Sequence, residues 1–165
     1  MAEEVRLRPA GHADLPRILE IYNREVEVST ATYDTIPRTE AEHRTWFALH
    51  GPSHPVLVAE SGGVLAGWAS LSPWSDRAAY ARTVEVSVYV DEGHRRQGIG
   101  RQLLRALVEA GRERGHHNLL ARISADNEAS IRLHAELGFS VAGTLHEVGE
   151  KFGRTLDVRI MELLL

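Results

Sequence analysis

The stretch from Thr83 to Leu107, TVEVSVYVDEGHRRQGIGRQLLRAL, constrains the fold more than any other part of the chain. Valines occupy every second position from 84 to 90, which predicts a strand with one apolar face. Glu85, Ser87 and Tyr89 then lie on the opposite face. Apolar residues at 103, 104, 107 and 108 recur at helical spacing, so a helix is predicted to follow. A strand that passes through a short loop into a helix indicates an α/β domain.

The loop between this strand and helix, residues 95–100, is basic and contains two glycines. Gly98 and Gly100 allow a tight turn and a close approach of the backbone to a ligand. The free N–H groups and the dipole of the helix N-terminus favour an anion at this point. The loop is neither a Walker loop nor a dinucleotide fingerprint, because it lacks a Gly-Lys-Ser/Thr ending and a third spaced glycine. The simplest ligand predicted for this loop is a phosphate or pyrophosphate group.

Length, charge and cysteine content narrow the class of protein. A chain of 165 residues is expected to form one domain, residues 1–165, with its own core. The net charge of −4 argues against a nucleic-acid partner. The absence of cysteine excludes a disulfide framework, a thiolate zinc site and a cysteine nucleophile. No apolar run suggests a signal or a membrane partner, so a cytoplasmic location is expected.

Hydrophobic periodicity and turn residues predict the element order βααβββαβαββ. The hairpin before the central strand is expected to have Val64 to Leu71 as its second strand. The helix after the loop is expected to end at Gly111 and Gly115. Phe139 to Leu145 and Leu156 to Leu164 are predicted as the last two strands, around the segment Lys151-Phe152-Gly153-Arg154.

The segment Arg95-x-x-Gly98-x-Gly100, after a strand and at the start of a helix, resembles the acetyl-CoA loop of the GNAT superfamily of N-acetyltransferases. The predicted element order also matches that fold, and the resemblance covers nearly the whole chain. It implies a mixed, mostly antiparallel central sheet of about seven strands in the α/β (α+β) class, with helices on both faces. It also implies acetyl-CoA as the acetyl donor.

Three segments resemble one subfamily, the phosphinothricin acetyltransferases. They are Thr83 to Val90, the run Asn127 to Phe139, and Lys151-Phe152-Gly153 followed by Asp157-Val158. The resemblance implies transfer of an acetyl group to the α-amino group of phosphinothricin, methionine sulfoximine or methionine sulfone. The transfer is expected to be direct, in a ternary complex, because the chain has no cysteine to carry the acetyl group.

Glu85 and His134 are the predicted catalytic residues. An acidic residue is unusual within a valine-rich strand, so Glu85 is either a general base or part of a structural ion pair with Arg77, Arg82 or Arg122. A base is useful because most of a free α-amino group, with a pKa near about 8, is protonated at neutral pH. His134 stands where the superfamily commonly has a tyrosine that protonates the leaving thiolate. It is expected to do this, to relay the amine proton, or to be a core histidine.

The resemblance assigns the remaining cofactor residues. The backbone from Val88 to Val90 is expected to pair with pantetheine, with an N–H near Val88 as the oxyanion donor. Asn127 is expected both to cap a helix and to bond the pantetheine arm, with Ser130 beside it. The predicted cofactor-binding set is Val88, Tyr89, Val90, Arg95, Arg96, Gln97, Gly98, Ile99, Gly100, Arg101, Asn127 and Ser130.

The predicted acceptor-binding residues are Tyr33, Trp74, Arg77, Arg82 and Phe152. Arg77 and Arg82 flank the central strand. The resemblance implies that they hold the carboxylate or phosphinate of the acceptor, and a guanidinium can bind two oxygens at once. Ordinary surface charge is the alternative for both. Tyr33 lies on the loop that covers the acceptor in this fold, and the two other aromatic residues are expected either to wall the pocket or to belong to the core.

Several alternatives stay open at this point. The acceptor is a small-molecule amine that carries a carboxylate, or else a protein N-terminus, a polyamine or an aminoglycoside. A CoA-binding sensor without catalysis is a further possibility. The other histidines show no ligand spacing, so no metal is predicted, and His43 and His50 are expected to face solvent. The apolar C-terminal strand, with its hairpin, is expected either to pair with a second copy in a homodimer or to be buried within the sheet of a single chain.

Overall fold

A computed structural model describes residues 4–165, and its centre is one seven-stranded sheet. The strands are β1 (Val5–Pro9), β2 (Val56–Ser61), β3 (Val64–Pro73), β4 (Thr83–Val90), β5 (Asn118–Ser124), β6 (Ser140–Lys151) and β7 (Arg154–Leu164). The α-helices are α1 (Leu15–Val28), α2 (Glu40–Ala48), α3 (Ile99–Glu113) and α4 (Glu128–Glu136). This is the predicted order βααβββαβαββ.

The sheet is mixed and mostly antiparallel, as expected. Its strand order is β1-β2-β3-β4-β5-β7-β6, and the parallel pair within residues 4–165 is β4 with β5. Strand β7 has a neighbour on each side, so the free edge at this end of the sheet is β6. A second copy of the chain could therefore add to this end only along β6.

The two faces of the sheet carry separate apolar cores. On one face, Val84 and Val86 pack with Leu103, Leu104 and Leu107 of α3. On the other face, side chains of α1 pack on β2 and β3, with Ile18 and Trp68 among the buried residues. Burying both faces of a sheet requires a layer of helices on each side. The predicted arrangement of helices on both faces is confirmed.

Helix α3 does not end at Gly111, which corrects the prediction. It continues to Glu113, and the chain then turns at Gly115, where φ is +75°. Gly111 lies inside the helix because it packs closely: a Cβ there would stand 3.1 Å from side-chain carbons of both Leu119 and Leu165. This glycine permits contact between the helix and the sheet.

The last two strands are longer than predicted. Strand β6 runs to Lys151 and β7 starts at Arg154, joined by the two-residue turn Phe152-Gly153 with φ values of +54° and +69°. The prediction stopped early because β6 is an exposed edge strand with polar residues on both faces, so hydrophobic alternation disappears after Leu145. Strand β3 likewise extends two residues beyond Leu71.

Candidate active site

The central strand separates from its parallel neighbour partway along its length. Strands β4 and β5 pair only from Thr83 to Glu85, opposite Asn118 to Leu120. Beyond this point β5 continues to pair with β7 as far as Ser124. The rest of β4 is paired on its β3 side alone, so an opening forms between the strands. Glu85 is the last residue of β4 before this opening.

A cleft of about 710 Å³ lies at the opening, on the side of α3 and α4. We call it the loop cleft, because the segment 95–101 forms one of its walls. The predicted cofactor residues that line it are Val88, Tyr89, Val90, Arg95, Arg96, Gly98, Ile99, Gly100, Arg101, Asn127 and Ser130. Gln97 does not line the cleft; it is an exposed residue of the loop. The predicted catalytic residue His134 also lines it.

The loop geometry suits an anion. Gly98 has φ +79° and immediately precedes α3, and within residues 4–165 no side chain caps this helix. The first helical bond runs from the N–H of Gln102 to the carbonyl of Gly98 (3.1 Å). The amides of Ile99, Gly100 and Arg101 therefore have no intrahelical acceptor, and the dipole places positive potential among them. A phosphate or pyrophosphate group fits such a site.

The arginines of this loop are not equivalent. Arg95 forms an ion pair with the buried carboxylate of Glu25 on α1 and donates to the carbonyl of Val90 (3.3 Å). Arg101 pairs with Glu136 of α4 at 3.0 Å. Arg96 has no ion-pair partner within the described part of the chain. Arg95 and Arg101 therefore hold the loop against the two helices, whereas Arg96 is free to meet a phosphate.

Helix α4 places three polar side chains along the loop cleft. Asn127 caps the helix through Oδ1, which accepts from the N–H of Ser130 (3.1 Å), so its amide group remains free to donate. Nδ1 of His134 lies 2.7 Å from the carbonyl oxygen of Ser130 and must donate to it, because a carbonyl only accepts. The proton is thus on Nδ1 in the neutral ring, and Nε2 carries the lone pair.

Burial is the main influence on the protonation of His134. The side chain is 5 % exposed, and desolvation lowers its pKa, against a smaller opposing effect of its bond to Ser130. The lowered pKa favours the neutral imidazole at pH 7, and none of the described residues pairs with Nε2. This state can accept a proton but has none to give to a thiolate, so the geometry favours the relay or base role over the acid role.

A second cavity, of about 690 Å³, lies on the other face of the sheet. We call it the sheet cavity, because β3, β4 and β5 form its floor, with the loop 30–34 and part of β6 at its sides. Thr30, Ala31 and Tyr89 line both the sheet cavity and the loop cleft. The two spaces are therefore neighbours across the gap between β4 and β5, as transfer between two bound molecules requires.

Glu85 lies on the wall of the sheet cavity and is paired with Arg122 of β5. Nε of Arg122 donates to one carboxylate oxygen (2.9 Å), and a terminal nitrogen donates to the other (2.6 Å). The carboxylate is 19 % exposed and the guanidinium 56 %. The Arg122 guanidinium also lies 5.4 Å from the centre of the Trp74 ring. Of the three predicted ion-pair partners of Glu85, Arg122 is the one that the structure shows bonded to it.

The predicted acceptor residues are only partly brought together. Tyr33 lines the sheet cavity, and its hydroxyl donates to the carbonyl of Asp157 (2.7 Å). Trp74 contacts Arg122 but does not line the cavity. Arg77 lies in the turn before β4, and Arg82 donates to the carbonyl of Gly115 (2.9 Å), so neither lines the cavity.

Phe152 is also outside the sheet cavity, because the longer hairpin carries it to the tip, where it is 54 % exposed. The cavity instead contains two arginines that sequence reasoning did not place there as acceptor residues, Arg122 and Arg38. Arg38 lies over the ring of Tyr22, 4.3 Å from its centre, and pairs with Asp34 at 3.5 Å. The sequence contains one signal that could have located Arg122. It lies between Ala121 and Ile123 on β5, so its side chain is on the opposite face of the strand from these two buried residues.

Several buried polar groups surround the site. Lys151 is 4 % exposed and donates to the carbonyl of Thr32 (2.8 Å), so it supports the loop 30–34 from behind, and its burial lowers its pKa. Burial raises the pKa of Tyr22 to about 12. His43 is 2 % exposed and His50 is partly buried, so the expectation that both face solvent is wrong: each packs against Trp46.

The described residues contain no group of three or more histidine, cysteine, aspartate or glutamate side chains arranged to hold a metal ion. No helix within residues 4–165 is long and apolar enough to cross a membrane.

A sheet that opens beside an uncapped helix, with neighbouring spaces for two molecules, suits the transfer of a chemical group from one bound molecule to another. The sequence model of the acetyltransferase (GNAT) family matches residues 15–139. The chain belongs to this family and is an acetyl-CoA-dependent N-acetyltransferase.

Known proteins resemble the chain over nearly its full length. A methionine sulfoximine/methionine sulfone acetyltransferase of Pseudomonas paraeruginosa is 44 % identical over 95 % of this chain and 92 % of that one. The structure of a phosphinothricin acetyltransferase of Sinorhizobium meliloti in complex with AcCoA is 37 % identical, with a TM-score of 0.94, over 98 % and 88 % of the two chains. A ribosomal-protein-alanine N-acetyltransferase of Brucella melitensis is 42 % identical, with the same TM-score, over 97 % and 99 %.

Proposed function

We propose that this enzyme acetylates the α-amino group of a free amino acid or a close analogue, of the methionine sulfoximine, methionine sulfone or phosphinothricin type. The names of two of the relatives support this choice. The observation that carries it is the ion pair of Glu85 and Arg122 on the wall of the sheet cavity.

The pair is complementary to an amino-acid zwitterion. The ammonium and carboxylate groups of an α-amino acid are bonded to the same carbon, so they need an anion and a cation side by side. Glu85 and Arg122 meet at 2.6–2.9 Å, and the exposed guanidinium can exchange its partner for the incoming carboxylate. A plain amine offers nothing to Arg122, so it would leave the pair closed.

Glu85 is the proposed general base. Acetyl-CoA supplies the acetyl group as a thioester, and the chain has to provide a neutral amine beside it. When Arg122 turns to the acceptor's carboxylate, Glu85 is free to take the ammonium proton. His134 lies on the loop-cleft side with an unpaired Nε2 and is the proposed second proton acceptor.

The cofactor residues are proposed from the loop cleft. The amides of Ile99, Gly100 and Arg101, with Arg96, would hold the pyrophosphate. The backbone of Val88 to Val90 and the amide group of Asn127 would hold the pantetheine arm. Gln97 is not retained in this set, because it does not line the cleft.

The first experiment measures CoA release with a thiol reagent. The chain has no cysteine, so the protein gives no background. The acceptors are methionine sulfone, methionine sulfoximine, phosphinothricin, a matched amine without the carboxylate, spermidine, an aminoglycoside and an alanine-starting peptide. Turnover confined to the amino-acid acceptors, and lost in Glu85→Gln, supports the proposal. Turnover confined to the peptide, polyamine or aminoglycoside contradicts it.

Arg122→Met tests the zwitterion argument, with Arg77→Met as the matched control. Arg122→Met should raise KM for amino-acid acceptors by tenfold or more, on the order of one charge-assisted hydrogen-bonded pair, and should leave the carboxylate-free amine little changed. Arg77→Met should behave as the unmodified enzyme, because Arg77 does not line the cavity. A raised KM in Arg77→Met together with an unchanged KM in Arg122→Met would contradict the argument, and the acceptor's carboxylate would then bind at Arg77, as the sequence predicts.

A homodimer and a cytoplasmic location are also proposed. Support for the dimer comes from the free edge β6, where Val141 and Val148 are 53 % and 56 % exposed. Exposed apolar side chains on an unpaired edge strand favour pairing with another chain. Light scattering coupled to size exclusion measures the mass directly, and Val148→Glu should shift it toward one chain.

A further inference from the structure

Two buried hydrogen-bonding atoms in the floor of the sheet cavity have no partner among residues 4–165. They are Nε1 of Trp68 and Oγ of Ser70. Both residues belong to β3 and line the cavity, with exposed fractions of only 2 % and 1 %. Because they are two positions apart on one strand, their side chains lie on the same face. Within residues 4–165, these two are the cavity-lining side chains with such an unpaired buried atom.

Their neighbours explain why the atoms remain unpaired. The Trp68 ring is enclosed by three aromatic rings, stacked on Tyr89 at 5.0 Å and edge-on to Trp46 and Tyr22 at 5.3 and 6.2 Å. The carbon faces of these rings offer the indole N–H no lone pair. The ring is thereby held in one orientation. Ser70 lies opposite Ser87 of β4, whose hydroxyl does not pair with it.

Buried polar groups in proteins are nearly always hydrogen-bonded, so an unpaired pair in a cavity indicates a bound partner. The indole N–H can only donate, and the serine hydroxyl can donate as well. The missing partner must therefore be a hydrogen-bond acceptor. An oxygen bonded to sulfur, phosphorus or carbon fits this description, and an ammonium group does not.

We propose that Trp68 and Ser70 form the subsite for the oxygen-bearing group on the side chain of the acceptor. This inference rests on the proposed function and adds to it the subsite that distinguishes one amino-acid side chain from another. Glu85 and Arg122 bind the α-carbon groups, and the two donors bind the sulfone, sulfoximine, phosphinate or carboxylate oxygen at the far end. A thioether side chain, which has no such oxygen, leaves both donors unpaired.

The test compares L-methionine sulfone with L-methionine. The two amino acids have the same chain and differ by the two oxygens on sulfur. The quantity measured is the ratio of their kcat/KM values in the holoenzyme assay with acetyl-CoA. The unmodified enzyme should prefer the sulfone, since a site with buried donors discriminates against an analogue that lacks the acceptor oxygen.

Ser70→Ala removes one donor and little else, whereas Trp68→Phe removes the other donor together with part of a buried ring. We expect the sulfone-to-methionine ratio to fall about tenfold or more in each variant, through a lower kcat/KM for the sulfone, while methionine is unchanged or improved. Ser87→Ala is the matched control: it removes a cavity hydroxyl on the neighbouring strand and should keep the ratio. Ser70→Ala is a small change, so it decides the matter if Trp68→Phe fails to fold.

An unchanged ratio in Ser70→Ala overturns the inference, and the two donors then bind water. An unmodified enzyme without preference for the sulfone overturns it too. Both results leave the proposed function in place, because methionine and its sulfone are still acetylated. The proposed function fails in a different way, when no amino acid in the panel is turned over.

Discussion

Replacing Gly149 with alanine should move the loop that borders the sheet cavity. Gly149 lies on β6, and the ring of Tyr33 packs directly over it. A Cβ at position 149 would stand 2.7 Å from two ring carbons of Tyr33, whereas ordinary contacts begin near 3.4 Å. The ring or the strand must therefore shift by about 0.7 Å, taken as the difference of these two distances.

The free energy of this shift can be estimated. Overpacking of a close contact costs about 1–3 kcal/mol. Replacing glycine with alanine returns about 0.4–1 kcal/mol, because the unfolded chain becomes less flexible. The net loss of unfolding free energy should be about 1 kcal/mol, and at most about 2.6 kcal/mol. The displaced Tyr33 hydroxyl would weaken its bond to Asp157, and because Tyr33 lines the cavity, the KM for the acceptor should rise several-fold.

Urea unfolding and steady-state kinetics measure the two effects. The matched control is Gly143→Ala on the same strand, where a Cβ meets nothing within 4 Å; this variant should be neutral or slightly stabilised. In the double variant Tyr33→Ala/Gly149→Ala the clash is gone, so the two changes should be clearly non-additive. If Gly149→Ala matches Gly143→Ala in both assays, the packing argument is refuted.

Two further predictions concern cofactor binding and pH. Gly98→Ala should weaken acetyl-CoA binding several-fold, measured by calorimetry, because alanine is strained at φ +79° although the space around it is open; a variant with unchanged affinity would contradict this. Burial lowers the pKa of His43 in the folded state, so the unfolded chain binds this proton more readily than the folded protein. The stability of the folded state is therefore unaffected by this histidine above about pH 6.5, and it decreases as the pH falls from there toward the lower folded-state pKa. His43→Phe should reduce the loss of unfolding free energy between pH 7.5 and 5.5, by at most about 1.4 kcal/mol per pH unit, and an identical pH slope in urea titrations would contradict this.

The central part of the fold could be predicted from local pattern. The valines of β4 alternate strictly, and the leucines of α3 follow a helical period, so both elements and their buried faces were found correctly. Helix α2 begins with a capping box, Thr39-x-x-Glu42, in which Thr39 accepts from the N–H of Glu42 (3.2 Å), and this too is a local pattern. Each of these patterns involves residues that are only a few positions apart in the chain.

Errors occurred where distant segments decide the outcome. The pattern predicts a helix end at Gly111, but the role of this glycine depends on Leu119 and Leu165, which only the fold brings close. The sequence predicts that His43 faces solvent, but it is buried and stacks on Trp46. In each case the deciding contact lies outside the local pattern.

The sequence by itself determined the family, the order of the elements, the anion-binding loop and the two faces of β4, because each depends on short-range periodicity or on a continuous motif. Only the tertiary structure decided which charges line the sheet cavity. Arg77 and Arg82 are close to Glu85 in sequence, whereas Arg122, 37 residues away, is the one that bonds to it. The reason is physical: the parallel pairing of β4 and β5 brings Arg122 to the cavity, and the turn before β4 places Arg77 outside it.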